Sequence, residues 1–173
     1  DEGAAGSDLV ATSYAIAKAL ERESADLVLF GQQSSDSDGA VLWSAVADRL
    51  RRPLVSQVAD LGIDGATVTG KRQTEFGYDV ITAPLPAIVA VSDAINEPRY
   101  PSLKGIMGAK KKPLDTKATG DVGIDAGQVG EAGSKTQVLA LNPPPAKDAG
   151  EIIEDADSDI DAAVEKIVNW LAE

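Results

Sequence analysis

The chain of 173 residues contains neither histidine nor cysteine. That excludes disulfides, thiolate nucleophiles, the usual zinc sites and any proton transfer that needs an imidazole. Two stretches remain whose residue types could recognise something. The first is Gly31-Gln32-Gln33-Ser34-Ser35-Asp36-Ser37-Asp38-Gly39, followed by Ala40, Val41 and Leu42. A polar, glycine-bounded loop running into a helix start suits a nucleotide: the backbone can approach a phosphate, and the unpaired N–H groups of Gly39, Ala40, Val41 and Leu42 would point at it. Gln32, Ser34, Ser35 and Asp36 could hydrogen-bond a base or ribose, with Gly31 at the start of the same cofactor-binding loop. The loop is neither a GxGxxG nor a Walker loop, so its residues alone leave open an ordinary polar connection.

The second stretch is 96–112. Asn96, Glu97, Pro98, Arg99 and Tyr100 precede Pro101, and Leu103, Ile106 and Met107 follow, ahead of Lys110, Lys111 and Lys112. One reading is a protruding recognition element with Leu103 as its apolar anchor. Periodicity alone favours the other, a packed connection with Leu103 and Ile106 in the core. No spacing brings Glu75, Asp79 or Glu97 together as a catalytic carboxylate pair, so no catalytic or metal-binding residue is expected.

The elements that must position these stretches follow from apolar pattern. Residues 27–30 and 86–91 are short continuous apolar runs, the mark of strands buried on both faces. Residues 54–61 and 67–74 alternate as strands around an Asp64-Gly65 turn, which predicts an antiparallel hairpin, and 80–82 adds a short strand. Ser7 is the expected N-cap of a helix over 7–22. Helical spacing predicts a second helix over 40–51, ended by Pro53, and a short basic one over 102–111. Beyond Pro113 the glycines at 120, 123, 127, 130 and 133 argue against regular structure, apart from one strand at 137–141. An amphipathic helix closes the chain over 158–173. Two parts follow: an α/β nucleotide-binding domain over 1–112 and an arm over 113–173. The fold class is α/β, a Rossmann-like, doubly wound, mostly parallel sheet of the adenine nucleotide alpha hydrolase kind. Such a domain normally opens with a strand, and three buried strands (27–30, 54–58, 87–91) make a thin sheet. A preceding segment or a partner is expected to complete it.

Composition narrows the partners. Acidic residues outnumber basic ones 28 to 16, a net charge of −12, which repels phosphate backbones and excludes nucleic acid as a natural partner. No apolar run approaches the ~20 residues that span a bilayer, and no signal peptide is visible, so a cytoplasmic location without membrane insertion is expected.

The stretches 70–75, 85–90 and 95–107, with Asn96-Glu97-Pro98-Arg99-Tyr100 and Ala109-Lys110-Lys111-Lys112 behind them, resemble the beta subunit of electron transfer flavoproteins. Residues 27–39 and Gly120-Asp121-Val122-Gly123 agree, and the Gly39-Ala40-Val41 run resembles the nitrogen-fixation-type and actinobacterial group more than the animal one. The family's N-terminal portion is absent from the likeness. The resemblance implies a heterodimer in which an alpha subunit holds the redox FAD, while this subunit binds AMP as a structural ligand, or a second FAD. It maps the nucleotide loop to 31–42 and makes Leu103 the anchor of a loop that grips partner dehydrogenases. Gln73 stands where relatives often carry a Glu that contacts the mobile flavin domain, which would keep a hydrogen bond and lose a charge. On this reading the chain is an electron-carrier subunit without bond-making chemistry of its own. The alternatives are a stand-alone nucleotide sensor of the universal-stress type, which would not need the long arm, and a hydrolase of the same sheet topology, for which only Asp36 and Asp38 offer a metal site.

Overall fold

The computed structural model describes residues 2–146 and 160–172. The chain divides into two compact units, Asp1–Gln137 and Val138–Glu173.

In the first unit the order is α1 (Leu9–Glu23), β1 (Leu27–Gly31), α2 (Leu42–Leu50), β2 (Leu54–Asp64), β3 (Thr67–Thr74), β4 (Gly77–Pro84), β5 (Ala87–Val91), α3 (Leu103–Ala109) and the single-turn α4 (Gly130–Gly133). The sheet order is β1-β5-β2-β3-β4. β5 slots between β1 and β2 and runs parallel to both, while β2-β3-β4 is an antiparallel meander. Four of the five strands therefore point the same way and only β3 is reversed, the mostly parallel α/β sheet that the apolar pattern implies. The sheet is wider than three buried strands because β3 and β4 extend it to five, and β4 spans eight residues where only 80–82 is expected. Its outer face carries Tyr78, Val80 and Thr82 opposite Gln73, Lys71 and Thr69, an alternation that reads as weak until the partner strand is known.

β5 and β2 are buried from two sides, whereas β1 is covered on one: Leu29 is 56% exposed, so the burial on both faces expected of 27–30 does not hold for this edge strand. On one face Val28, Ile88 and Leu54 pack with Ile16 and Leu20 of α1 and with Val46, Ala47 and Leu50 of α2. On the other, Val55, Val58, Val68, Ala83, Ala87 and Val89 form a second cluster. β2 serves both neighbours because its register with β5 shifts between Val55 and Val58 and its register with β3 shifts between Val58 and Asp60. Gln57 sits within the first shift at φ 54°, and such bulges bend a strand from one pairing to the next. Gly70 is required by the close approach this creates: a Cβ there would lie 2.8 Å from Val55 Cγ1 and 2.9 Å from Val58 Cγ2.

α1 begins one residue later than the N-cap signal at Ser7 predicts. Asp8 is the cap, its Oδ1 accepting the Ala11 N–H at 2.9 Å. Ser7 is engaged elsewhere, accepting the Gly130 N–H at 2.7 Å. A buried Ser13 links the two helices, because its hydroxyl accepts from Arg49 Nε at 2.9 Å while Arg49 also donates to the Val10 carbonyl.

Residues 119–136 are held against α1 by polar contacts. Asp8 Oδ2 accepts the N–H groups of Lys135 (2.6 Å) and Thr136 (2.9 Å), and the Ser134 hydroxyl accepts from the Asp8 N–H and donates to the Gly6 carbonyl. The Asp125 N–H donates to the Tyr14 hydroxyl, and Val129 is buried, 1% exposed. The N–H donors lower the Asp8 pKa below its ordinary value of 3.8, Ala11 first, against a smaller desolvation effect that raises it. The glycines expected to prevent structure here accompany short turns at Thr119–Val122 and Ala126–Gln128 and the turn of α4.

The strand expected at 137–141 does not form among the described residues, and Val138, Leu139 and Leu141 are exposed. An apolar alternation makes a strand only where an edge accepts it. α5 (Ile160–Ala172) forms as its period predicts, with Ile160, Val164, Ile167, Val168 and Leu171 on one exposed stripe. Residues 158, 159 and 173 of the expected helix lie outside the described residues.

Candidate functional site

In a parallel sheet the crevice beyond the carboxyl ends of the strands is where loops can converge on a ligand. β1 ends at Gly31 and β5 at Val91, and these two residues are register partners. Between their outgoing loops lies a cleft of about 580 Å³ lined by Gly31, Gln32, Gln33, Val91, Ser92 and Asp93. Another cleft, of about 480 Å³, lies between the end of α1 and the Asp115–Lys117 ion pair. Its lining includes no residue from a strand or from the loop after one, and topology favours the first.

The predicted loop residues do different jobs. Gly31 and Gln32 line the cleft, whereas Ser35 and Asp36 belong to a turn that satisfies itself. The Asp38 N–H donates to the Ser34 carbonyl, and Asp36 Oδ1 accepts the Ser37 N–H at 2.8 Å. The Asp36 carboxyl is held below its ordinary value by hydrogen bonds from the Ser34 side chain first and then the Ser37 N–H. Its lone pairs are thus partly committed within the loop. The left-handed backbone falls at Asp38 (φ 48°) and Ala40 (φ 41°) and not at Gly39. A Cβ on Gly39 would sit 3.4 Å from Leu9 of α1, so this glycine's free side faces the helix layer.

Val41 stands at the N-cap of α2 without a side-chain cap bond, and no acidic residue occupies the first turn. The N–H groups of Leu42 and Trp43 have no hydrogen-bond partner among the described residues. Trp43 ties the helix back to the loop, donating from Nε1 to the Gln32 carbonyl at 3.1 Å. Sequence reasoning missed Gln33, Ser92, Asp93 and Trp43. The pairing of β1 with β5, which sets Ser92 and Asp93 opposite Gln32, joins residues some sixty positions apart in the chain and has no local signal. Among the described residues no three acidic, His or Cys side chains converge to hold a metal.

The second predicted stretch lies in the open. Leu103 is the first residue of α3, which is capped by Ser102 accepting the Gly105 N–H at 3.1 Å. Its side chain is 81% exposed, and Ile106 and Met107 are exposed as well, so the core placement favoured by periodicity is overturned. The run Asn96-Glu97-Pro98-Arg99-Tyr100-Pro101 has no regular structure, as its prolines require, and Tyr100 is 99% exposed. Gln73 lies on the outer face of the β3–β4 ribbon opposite Tyr78, whose ring takes the Lys71 ammonium 4.5 Å from its centroid. No helix among the described residues is long and apolar enough to cross a membrane.

Residues 1–121 match the electron transfer flavoprotein domain. The chain is 40% identical to an electron transfer flavoprotein subunit beta of Mycobacterium leprae over 156 residues, 90% of this chain and 59% of that protein. It is 31% identical to the subunit beta of Megasphaera elsdenii over 178 residues, 99% of this chain and 66% of that one. A relative from Acetobacterium woodii named caffeyl-CoA reductase-Etf complex subunit CarD is 38% identical over 154 residues, 88% and 59% of the two chains. The chain thus spans about three fifths of the length of several curated relatives it matches. It belongs to the electron transfer flavoprotein family, and the Mycobacterium leprae and Megasphaera elsdenii relatives carry the name of the beta subunit.

Proposed function

We propose that this chain acts as the nucleotide-binding and docking part of a beta subunit in a heterodimeric electron transfer flavoprotein of the cytoplasm. The observation that carries the reading is the cleft where β1 and β5 end side by side, next to a helix start whose N–H groups are unclaimed. The residues fit an adenine nucleotide, AMP or a second FAD. Gln32 and Gln33 supply amides and Asp93 a carboxylate for a base and a ribose diol. With no lysine or arginine lining the cleft, a phosphate would rest on Leu42 and Trp43 N–H groups, where the dipole favours an anion by ~0.3–1 kcal/mol.

No bond is made or broken by this chain's residues in that role. The FAD of the alpha subunit would carry the electrons, and this subunit would hold the assembly in register. The segment 96–107, with Leu103, Ile106 and Met107 presented to solvent, would dock partner dehydrogenases. The Acetobacterium woodii relative, named as a subunit of a complex with caffeyl-CoA reductase, supports that kind of assembly. Gln73 would face the flavin domain from the β3–β4 ribbon.

Native mass spectrometry and absorbance of the full-length protein, purified with whatever accompanies it, test the reading. A bound AMP or FAD mass and a second, flavin-containing chain are expected. A chain that emerges alone, without nucleotide and without any flavin-containing companion, would contradict it.

A further inference from the structure

We propose that Trp43 is a positioning residue of the strand-end cleft, which holds the Gln32–Gln33 peptide so that the Gln33 N–H is kept for the nucleotide. This deepens the nucleotide reading and rests on it. An indole carries one polar group, a donor, and Trp43 spends it on the Gln32 carbonyl at 3.1 Å, across eleven residues of chain. A trans peptide is planar, so the carbonyl of Gln32 and the N–H of Gln33 point in opposite directions. Anchoring the first toward α2 therefore fixes the second on the side away from Trp43. The Gln33 N–H has no partner among the described residues, and Gln33 lines the cleft.

The surroundings make this peptide the joint that matters. On one side β1 is held in the sheet by its register with β5. On the other, the turn at 34–38 is closed by the Asp38-to-Ser34 bond and by Asp36 accepting from Ser37. Gln32 and Gln33 connect two ordered pieces, and the indole is the strut across them. Because the strut comes from the first turn of α2, it also ties the cleft wall to the N–H groups of Leu42 and Trp43. A ligand that spans both places would find their separation already set, which lowers the ordering cost of binding.

Trp43→Phe keeps the ring and removes the donor. In the full-length protein with its natural partners, AMP and FAD are titrated by calorimetry, and hydrogen exchange of the Gln33 amide is followed with and without the tighter ligand. The parent should bind, with Gln33 exchange slowed by the ligand. Trp43→Phe should melt at the parent's temperature, bind about 3- to 10-fold more weakly, the worth of one net hydrogen bond, and lose the ligand's protection of Gln33. Equal affinity with equal Gln33 protection would overturn the role of Trp43 and leave the nucleotide reading standing. A parent that binds neither ligand would overturn both. If Trp43→Phe does not fold, the Trp43 indole is assigned by NMR in the parent protein. Its N–H resonance should then shift on adding AMP or FAD, and an unmoved resonance would overturn the proposal.

Discussion

Residues 96–112 and residues 119–136 are both glycine- or proline-marked stretches with one short helix each, yet they meet opposite fates. In the later stretch Val129 is 1% exposed, and N–H groups at 130, 135 and 136 are taken by Ser7 and Asp8. In the earlier one the hydrogen bonds of 102–112 are local, the Asn96 amide reaches only the neighbouring Glu97 carbonyl, and Tyr100, Leu103 and Met107 stand in solvent. Irregular backbone must satisfy its polar groups somewhere. Where a capped helix start offers a spare carboxylate oxygen, the backbone docks and buries an apolar side chain with it. Where it finds only its own turns, the apolar side chains stay outside, available to another molecule.

The comparison breaks most severely at Gly130. Its φ is +62° and a Cβ would lie 2.7 Å from the Gly3 carbonyl oxygen, so Gly130→Val should cost about 1–3 kcal/mol of unfolding free energy from backbone strain alone. Chemical denaturation measures it, and a variant as stable as the parent would mean that the clasp is not needed by the fold.

Asp8→Asn is a milder cut that separates two roles of one side chain. Asn caps helices about as well as Asp, so α1 should persist while the second oxygen, the acceptor of Lys135 and Thr136, becomes an amide. Faster hydrogen exchange confined to residues 130–136 is expected; faster exchange throughout α1 would show that capping and clasping cannot be parted. Acid should act alike. The Asp8 pKa is lowered in the folded chain, so its contribution is fully present above its unfolded value, near pH 4, and is lost as pH falls through the lower folded value. Exchange at 130–136, referred to α2, should rise only in that acid window.

The smallest effect on the fold is expected in the open stretch. Leu103→Ala removes a side chain that is already outside, and should change stability by less than ~0.5 kcal/mol, against the ~2–5 kcal/mol of a buried leucine. A melting temperature far below the parent's would put Leu103 back in a core.

The same contrast separates what local pattern reveals from what it does not. The strands at 27–31 and 87–91, the Asp64-Gly65 hairpin and the helices starting near 8, 42 and 160 were legible because continuous apolar runs, turn dipeptides and helical spacing are local signals. The clasp is not local: Asp8 meets Lys135 and Thr136 from 127 and 128 positions away. For the same reason the pattern at 137–141 reads as a strand although none forms there among the described residues. Of the candidate site, the polar loop at 31–42 was visible from composition, but its division into a self-closed turn at Asp36 and a cleft wall at Gln32 and Gln33 depends on hydrogen bonds. The exposure of Leu103 ran against its periodicity and was anticipated only by resemblance to the family.

Whether the exposed stretch is a docking element is decided most directly by one rate. The full-length protein, assembled with the flavin-bearing partner proposed above, is mixed with a dehydrogenase from the same source, and flavin reduction is followed at equal concentrations of folded complex. With Leu103→Ala, coupling should fall by an amount equivalent to ~2 kcal/mol or more of partner affinity, as loss of a hot spot would produce. Reduction at the parent's rate and half-saturation would contradict the account, and leave 96–112 as an exposed loop with no partner to hold.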